Sequence, residues 1–285
     1  MSSRNPFAAL GRWMRLTTRT GAEVPPLDDH AWREACEHLP FLEALEPACA
    51  TRVRALAAAL IARKTFTGAA GLELEPSMIL LIAVQAALPI NRLGLQWYAD
   101  FEEIIVYPSE FLVDREVTDD DGIVHRQREA LSGEVLPGGP VVLSWEDVVD
   151  PGDGEAAYNV VIHEFAHKLD LADGVADGCP PLARPDLDRW RSALEHAYDA
   201  FCETLDEVES SIPPDVDPDS EAADAYWAKL PLDAYAATDP AEFFAVASEA
   251  WFVSRPTLEA AFPAFAAQLA RLYGEPDARD AAAVG

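Results

Sequence analysis

Positive charge is scarce in this chain. Lysine and arginine total 21 against 50 aspartates and glutamates, a formal net charge of -29. A field of that sign repels phosphate backbones, so nucleic-acid binding is not expected. Cysteine is scarce too: Cys36, Cys49, Cys179 and Cys202 are the four present, and no two form a CxxC pair. Their spacing fits neither a disulfide framework nor a zinc ribbon and suits reduced thiols in a cytosol. Long apolar runs are missing. The longest, "MILLIAVQAALPI" from Met78, is too short to span a bilayer and contains Gln85. The opening "MSSRNPFAALGRWMRLTTRTG" has four arginines but no continuous apolar stretch, so no secretory signal is expected. Internal repeats are not evident. What these absences leave is a cytoplasmic globular protein without a membrane span. Its 285 residues, half of them hydrophobic, suffice for a packed core.

The elements read as α+β, with helices around a small mixed sheet. Residues 28 to 64 carry helical apolar periods, and "GAAGLELEP" is a turn region. "SMILLIAVQAALPI" reads as a buried helix capped by Ser77. "FEEIIVYPSEFLV" and "GPVVLSWEDVV" are rich in β-branched and aromatic residues and read as strands, with a hairpin between them. Helices follow up to Asp170, closed by a turn at Gly174, and then over "RPDLDRWRSALEHAYDAFCETL", "DPAEFFAVASEAWFVS" and "PTLEAAFPAFAAQLARLY". The stretch from Asp206 to Asp224 holds eight acids and three prolines and reads as a loop. The expected organisation is a basic arm over 1–24 with Arg4, Arg12, Arg15 and Arg19, one domain over 25–275 containing that acidic loop at 206–224, and a tail over 276–285.

The chemistry concentrates in "NVVIHEFAHKLD", residues 159 to 170. Positions i and i+4 share a helix face, so His163 and His167 point the same way and can grip one metal ion. Glu164 is rotated by about 100 degrees, close enough to reach a water on that ion. This is the His-Glu-x-x-His arrangement, two imidazole ligands and a general base. Asn159 and Asp170 lie one turn to either side on the same face and are candidates to hold a ligand imidazole. A plain alternative is an exposed helix with a Glu164–Lys168 pair. The apolar sleeve of Val160, Val161, Ile162, Phe165, Ala166 and Leu169 fits a buried metal site better. A catalytic zinc needs a third protein ligand. Glu242 and Glu249 share a face in "DPAEFFAVASEAWF", after a cap at Asp239 and a first-turn Pro240. Asp239-Pro-Ala-Glu242 also has capping-box spacing, so Glu242 could instead close the helix end. The strand "VVLSW" is a candidate to bind extended substrate by edge pairing, with an ordinary core strand as the alternative.

Taken together, "NVVIHEFAHKLD", "GPVVLSWEDV", "IIVYPSEFLV" and "LDAYAATDPAEFFAV", in that family's order, resemble the Mlc titration factor A family of bacterial zinc peptidases. The resemblance implies a gluzincin-type metallopeptidase with one Zn2+ per chain and a fold like the catalytic domain of anthrax lethal factor. It implies His163 and His167 as ligands, Glu164 as base, Glu242 as the third ligand, and Tyr235 as the active-site tyrosine. Glu249 stands beside Asn159 and Asp170 as a candidate supporting residue. It implies aminopeptidase activity on short peptides and, as a possible partner, a Mlc-like transcriptional repressor. The alternative is a zinc-stabilised, non-catalytic protein that sequesters such a regulator. The acidic stretch looks longer than the family's and, folded over the cleft, would limit substrate size.

Overall fold

The computed structural model describes residues 25–118, 124–131, 133–135, 138–149 and 158–274. The arm and tail read over residues 1–24 and 276–285 lie outside the described residues. Within them the fold is α+β. One sheet has the strand order β1 (Thr65–Gly68), β2 (Glu103–Tyr107), β6 (Val141–Ser144), β5 (Gly133–Val135). The first three run parallel and β5 runs antiparallel to β6, so the sheet is mixed. An antiparallel pair is there as a separate two-stranded sheet, β3 (Phe111–Thr118) with β4 (Val124–Leu131), but its first strand begins at Phe111, inside the stretch read as the strand before the hairpin.

Helices α1 (Asp29–His38), α2 (Pro47–Arg63) and α3 (Pro76–Ala87) precede the sheet's central strands. Every residue of α3 from Met78 to Ala87 is buried, which explains a helix with almost no polar face. It begins at Pro76, not at a Ser77 cap: Glu75 is the extended cap residue and proline takes the first helical position. β1 falls where the sequence reads as helix tail and turn. Its residues pair with β2, and Gly68 is required because a Cβ there would lie 2.0 Å from the Leu72 carbonyl oxygen.

The strand expected over "VVLSWEDVV" stops at Ser144. Trp145–Val149 forms a short helix, α4. The Ser144 hydroxyl accepts from the Asp147 N–H at 3.4 Å, and Glu146 and Asp147 suit the positive end of a helix. β6 lies between β2 and β5, so it has no edge to offer an extended peptide. The edge-pairing reading of "VVLSW" is therefore wrong. Strand β5 is the terminal strand on that side among the described residues.

Helix α5 (Val160–Asp170) packs on β5, β6, α3 and α8 (Pro240–Val253). Phe165 anchors its rear face, with ring centroids 5.0 Å from Tyr98 and 5.9 Å from Phe101. Lys168 is fully buried. Its Nζ donates to the Gly139 carbonyl at 3.0 Å and to Asp100 Oδ2 at 3.2 Å, which ties the β5–β6 turn to this helix.

Helix α6 (Arg184–Ser211) runs into the stretch read as an acidic loop. Leu194, Ala197, Phe201 and Val208 continue one buried stripe, while Asp206, Glu207 and Glu209 face solvent. Acid-rich composition hid the single apolar residue that extends the helix. Turns over 212–223 follow, then the short α7 (Asp224–Trp227). The final helix expected from Pro256 is two, α9 (Arg255–Ala261) and α10 (Pro263–Tyr273). Pro263 has no N–H and disfavours helical backbone at Phe262, which sits at φ -129, ψ 60.

Candidate metal centre

Three local devices aim the site's side chains. At the start of α5, Asn159 takes an extended backbone and its Oδ1 accepts the Ile162 N–H at 2.9 Å. At the start of α8, Asp239 Oδ1 accepts the N–H groups of Ala241 and Glu242, at 2.8 and 3.0 Å. Asp239 thus does the capping, and Glu242 is left free to reach across to the histidines. Between the two helices, Gly178 donates its N–H to Asp170 Oδ2 at 2.9 Å and accepts from Trp190 Nε1 at 2.8 Å. Its φ of +73 suits glycine, and a Cβ there would stand 2.4 Å from the Pro240 carbonyl oxygen. The loop after α5 therefore lies directly on the first turn of α8.

The result is one compact cluster. His163 Nε2 lies 3.0 Å from Glu242 Oε2 and 3.2 Å from His167 Nε2, and His167 Nε2 lies 3.2 Å from Glu242 Oε2. Bonds of about 2.0–2.1 Å to a tetrahedral ion give ligand–ligand edges of about 3.3–3.4 Å. The three atoms thus stand close to one face of such a tetrahedron. Among the described residues no fourth His, Cys, Asp or Glu joins this group. Two imidazoles, one carboxylate and an open corner are the donor set of catalytic zinc sites.

The proton inventory supports a cation at the centre. Glu249 Oε1 lies 2.7 Å from His163 Nδ1, which assigns the ring proton to that nitrogen. The Nε2 lone pair of the neutral ring then faces Glu242 Oε2 and His167 Nε2, and converging lone pairs repel unless positive charge lies between them. Without a metal, a proton can serve. Burial pushes the His163 pKa down, but hydrogen bonds to Glu242 and Glu249 overcome it and hold the ring well above its usual value. Burial raises the Glu242 carboxyl, but its hydrogen bonds to both imidazoles outweigh this and hold it well below the ordinary carboxylate range.

Glu164 sits beside the cluster, buried, and burial pushes its pKa up to about 7 against the opposing imidazoles. Room for its carboxyl comes from Gly133 on β5: a Cβ there would lie 2.2 Å from Glu164 Oε1. Nothing in "LSGEV" marked that glycine in the sequence, because its need arises from a helix thirty residues away. Tyr235 rides on a 3-10 turn, Ala234–Ala237, whose start is capped by Asp233 Oδ1 at 2.8 Å from the Tyr235 N–H. Its side chain is exposed, and its ring centroid lies 6.1 Å from that of His163.

The three supporting candidates divide. Glu249 touches a cluster imidazole directly. Asn159 does not: its backbone N–H donates to Glu249 Oε2, and its Nδ2 donates to Gln85 Oε1 at 2.6 Å. Asp170 is spent on Gly178, and its Oδ1 is buried without a hydrogen-bond partner. The arrangement gathers His163, His167 and Glu242 around one point, with Glu164 and Tyr235 at its rim.

Comparison with known proteins agrees with this geometry. The sequence profile of the glucose-regulated metallo-peptidase M90 family matches residues 12–274. Mlc titration factor A of Yersinia pestis (strain Pestoides F) is 37% identical over 243 residues, spanning 85% of this chain and 83% of that protein. The proteins of the same name from Yersinia pseudotuberculosis serotype O:1b (strain IP 31758) and Yersinia pestis bv. Antiqua (strain Antiqua) match to the same extent. A chain matched over nearly its whole length by that profile, with two imidazoles and a carboxylate converging on one point, belongs to the glucose-regulated metallo-peptidase M90 family.

Proposed function

We propose that this chain is a zinc-dependent peptidase of the gluzincin type, acting as an aminopeptidase on short peptides. The observation that carries this reading is the convergence of His163 Nε2, His167 Nε2 and Glu242 Oε2 beside a buried glutamate. These three residues would hold one zinc ion, which supplies Lewis acidity to the amide carbonyl and acidifies a water. Glu164 takes the proton of the attacking water and passes it to the departing amine nitrogen. Burial, which raises its pKa, favours acceptance of the water's proton. Tyr235 donates its phenol hydrogen to the oxyanion that develops as the carbonyl is attacked. Glu249 holds His163 in the tautomer that presents Nε2. Strand β5, terminal in its sheet among the described residues and in contact with Glu164 through Gly133, is the strand on which an extended peptide would add. The peptidase unit in this reading is one domain over residues 25–275.

The name of the Yersinia relatives favours a second reading, in which this chain also binds a Mlc-like transcriptional repressor. The test is hydrolysis of aminoacyl chromogenic substrates by the full chain, with metal content measured on the same sample. Zinc bound one to one and hydrolysis lost on chelation and regained on zinc addition are expected. Zinc-loaded protein that hydrolyses none of these substrates or short peptides, yet retains a repressor, would overturn the peptidase reading and leave the second.

A further inference from the structure

Helix α3 carries one polar side chain in its buried stretch. From Met78 to Ala87 all else is apolar, yet Gln85 is 1% exposed. A buried carboxamide costs about 1–3 kcal/mol if left without partners, so its placement calls for a reason. Its Nε2 donates to the Leu81 carbonyl at 3.1 Å, one turn back on its own helix. Its Oε1 accepts from Asn159 Nδ2 at 2.6 Å, 74 residues further along the chain. Asn159, 2% exposed, caps α5 with its Oδ1 and donates its backbone N–H to Glu249 Oε2. Glu249, equally buried, holds His163 Nδ1 at 2.7 Å. A continuous line of buried hydrogen bonds thus leads from the core helix to one imidazole of the cluster.

We propose that Gln85 is a positioning residue of the metal centre: through Asn159 and Glu249 it fixes the orientation of His163, and so sets how tightly the site holds zinc. This inference rests on the zinc reading above. Each link is directional. The Gln85 carbonyl oxygen accepts from one Asn159 amide hydrogen, which leaves Asn159 Oδ1 turned towards Ile162. With Oδ1 so placed Asn159 caps the helix, and the extended backbone of that cap aims its N–H at Glu249. With Glu249 held at one oxygen by the backbone, the other oxygen has one place to receive the His163 proton. The chain crosses three elements, α3, α5 and α8, none of which is adjacent in sequence. Packing alone would put an apolar residue at position 85. A polar one is needed only because Asn159 must be met in the core.

The test measures zinc affinity of the full chain by competition with a chelator of known affinity, together with stability of the zinc-free protein. Loss of partners around metal ligands costs about 10–100-fold in affinity, and about 10-fold is expected for Gln85→Met, one link further out. Asn159→Ser keeps a capping oxygen and the backbone N–H but severs the link to Gln85, and should weaken zinc to a similar degree. It serves if Gln85→Met does not fold. A merely structural role is separated by a double-mutant cycle. In a Glu249→Gln background, Gln85→Met should change zinc affinity less than about 2-fold, because the line is already broken there. Ser248→Ala, which removes an equally buried hydrogen bond on α8 to Phe244 and Tyr273, should leave zinc affinity unchanged. Unaltered zinc affinity in both Gln85→Met and Asn159→Ser, or the same loss with and without Glu249, overturns the proposal. Wild-type protein that binds no zinc would instead overturn the reading on which it rests.

Discussion

Replacing Gly133 with alanine places a methyl group where the Glu164 carboxyl now lies. A Cβ at that position would stand 2.2 Å from Oε1 and 2.5 Å from both Cδ and Cγ. Ordinary contact begins at 3.4 Å, so the carboxyl oxygen must retreat by 3.4 − 2.2, or 1.2 Å. What gives way is the Glu164 side chain from Cγ outward, not backbone, so the fold should survive. The cost falls on chemistry. A misplacement of about 1 Å can cost about 100-fold in rate, equivalent to about 2.7 kcal/mol of barrier. Gly133→Ala is therefore expected to lower kcat about 100-fold, with zinc content and melting temperature close to wild type. The assay is steady-state hydrolysis of an aminoacyl p-nitroanilide, paired with metal analysis and thermal melting of the same preparation. Wild-type turnover would refute the argument that Glu164 works from its present position. A loss of rate that merely tracks a loss of zinc would refute the claim that the alanine acts on Glu164 alone.

Other outcomes follow from the same geometry. Glu164→Gln keeps the shape and should retain zinc while losing about 100- to 10,000-fold in kcat, read by the same paired assay. Burial lifts Glu164 to about 7 and a nearby dication opposes that lift. Since the base must be ionised, kcat/KM should fall with acid along a limb between about 4.3 and that value, and a limb below pH 4 would contradict the assignment. Tyr235→Phe should cost about 100- to 1,000-fold in kcat with little change in zinc affinity. In Gly178→Ala the added carbon meets the Pro240 carbonyl and the φ of +73 becomes strained. Chemical denaturation should show at least about 1–3 kcal/mol of lost stability, in contrast to Gly133→Ala. In the zinc-free protein, burial raises Asp170 from 3.8 to about 6. A carboxyl raised on folding adds stability that is fully present below about 3.8 and is lost as pH rises through about 6. Asp170→Asn should accordingly flatten the pH dependence of the apo-protein melting point across that window.

The convergence of the paired histidines was legible because it depends on a local period. His163, Glu164 and His167 lie within one and a half turns, and helix geometry alone orients them. Asp239 and Pro240 announced the start of α8 in the same way. The choice between Glu242 and Glu249 was not local, since both lie on one face and both reach His163, one at each nitrogen. The contacts of Gly133 and Gln85 were invisible in the sequence because their partners lie across the fold: one yields space to Glu164, the other meets Asn159. The extension of α6 to Ser211 escaped for another reason. One buried Val208 among exposed acids outweighs average composition, because burial is decided per face and not per segment. β1 was lost because four residues are too few to establish an alternation.

Helix α8 holds a single imidazole from both sides, Glu242 at Nε2 and Glu249 at Nδ1, two turns apart. The ring therefore acts as a gauge block between two jaws cut from one rod. Exchanging a residue between those glutamates leaves the jaws aligned. Adding or deleting one swings a jaw by about 100° around the rod and opens the grip. Sequence drift in that span is held to letters that still fit the buried core from Phe243 to Ser248, and is forbidden to change length.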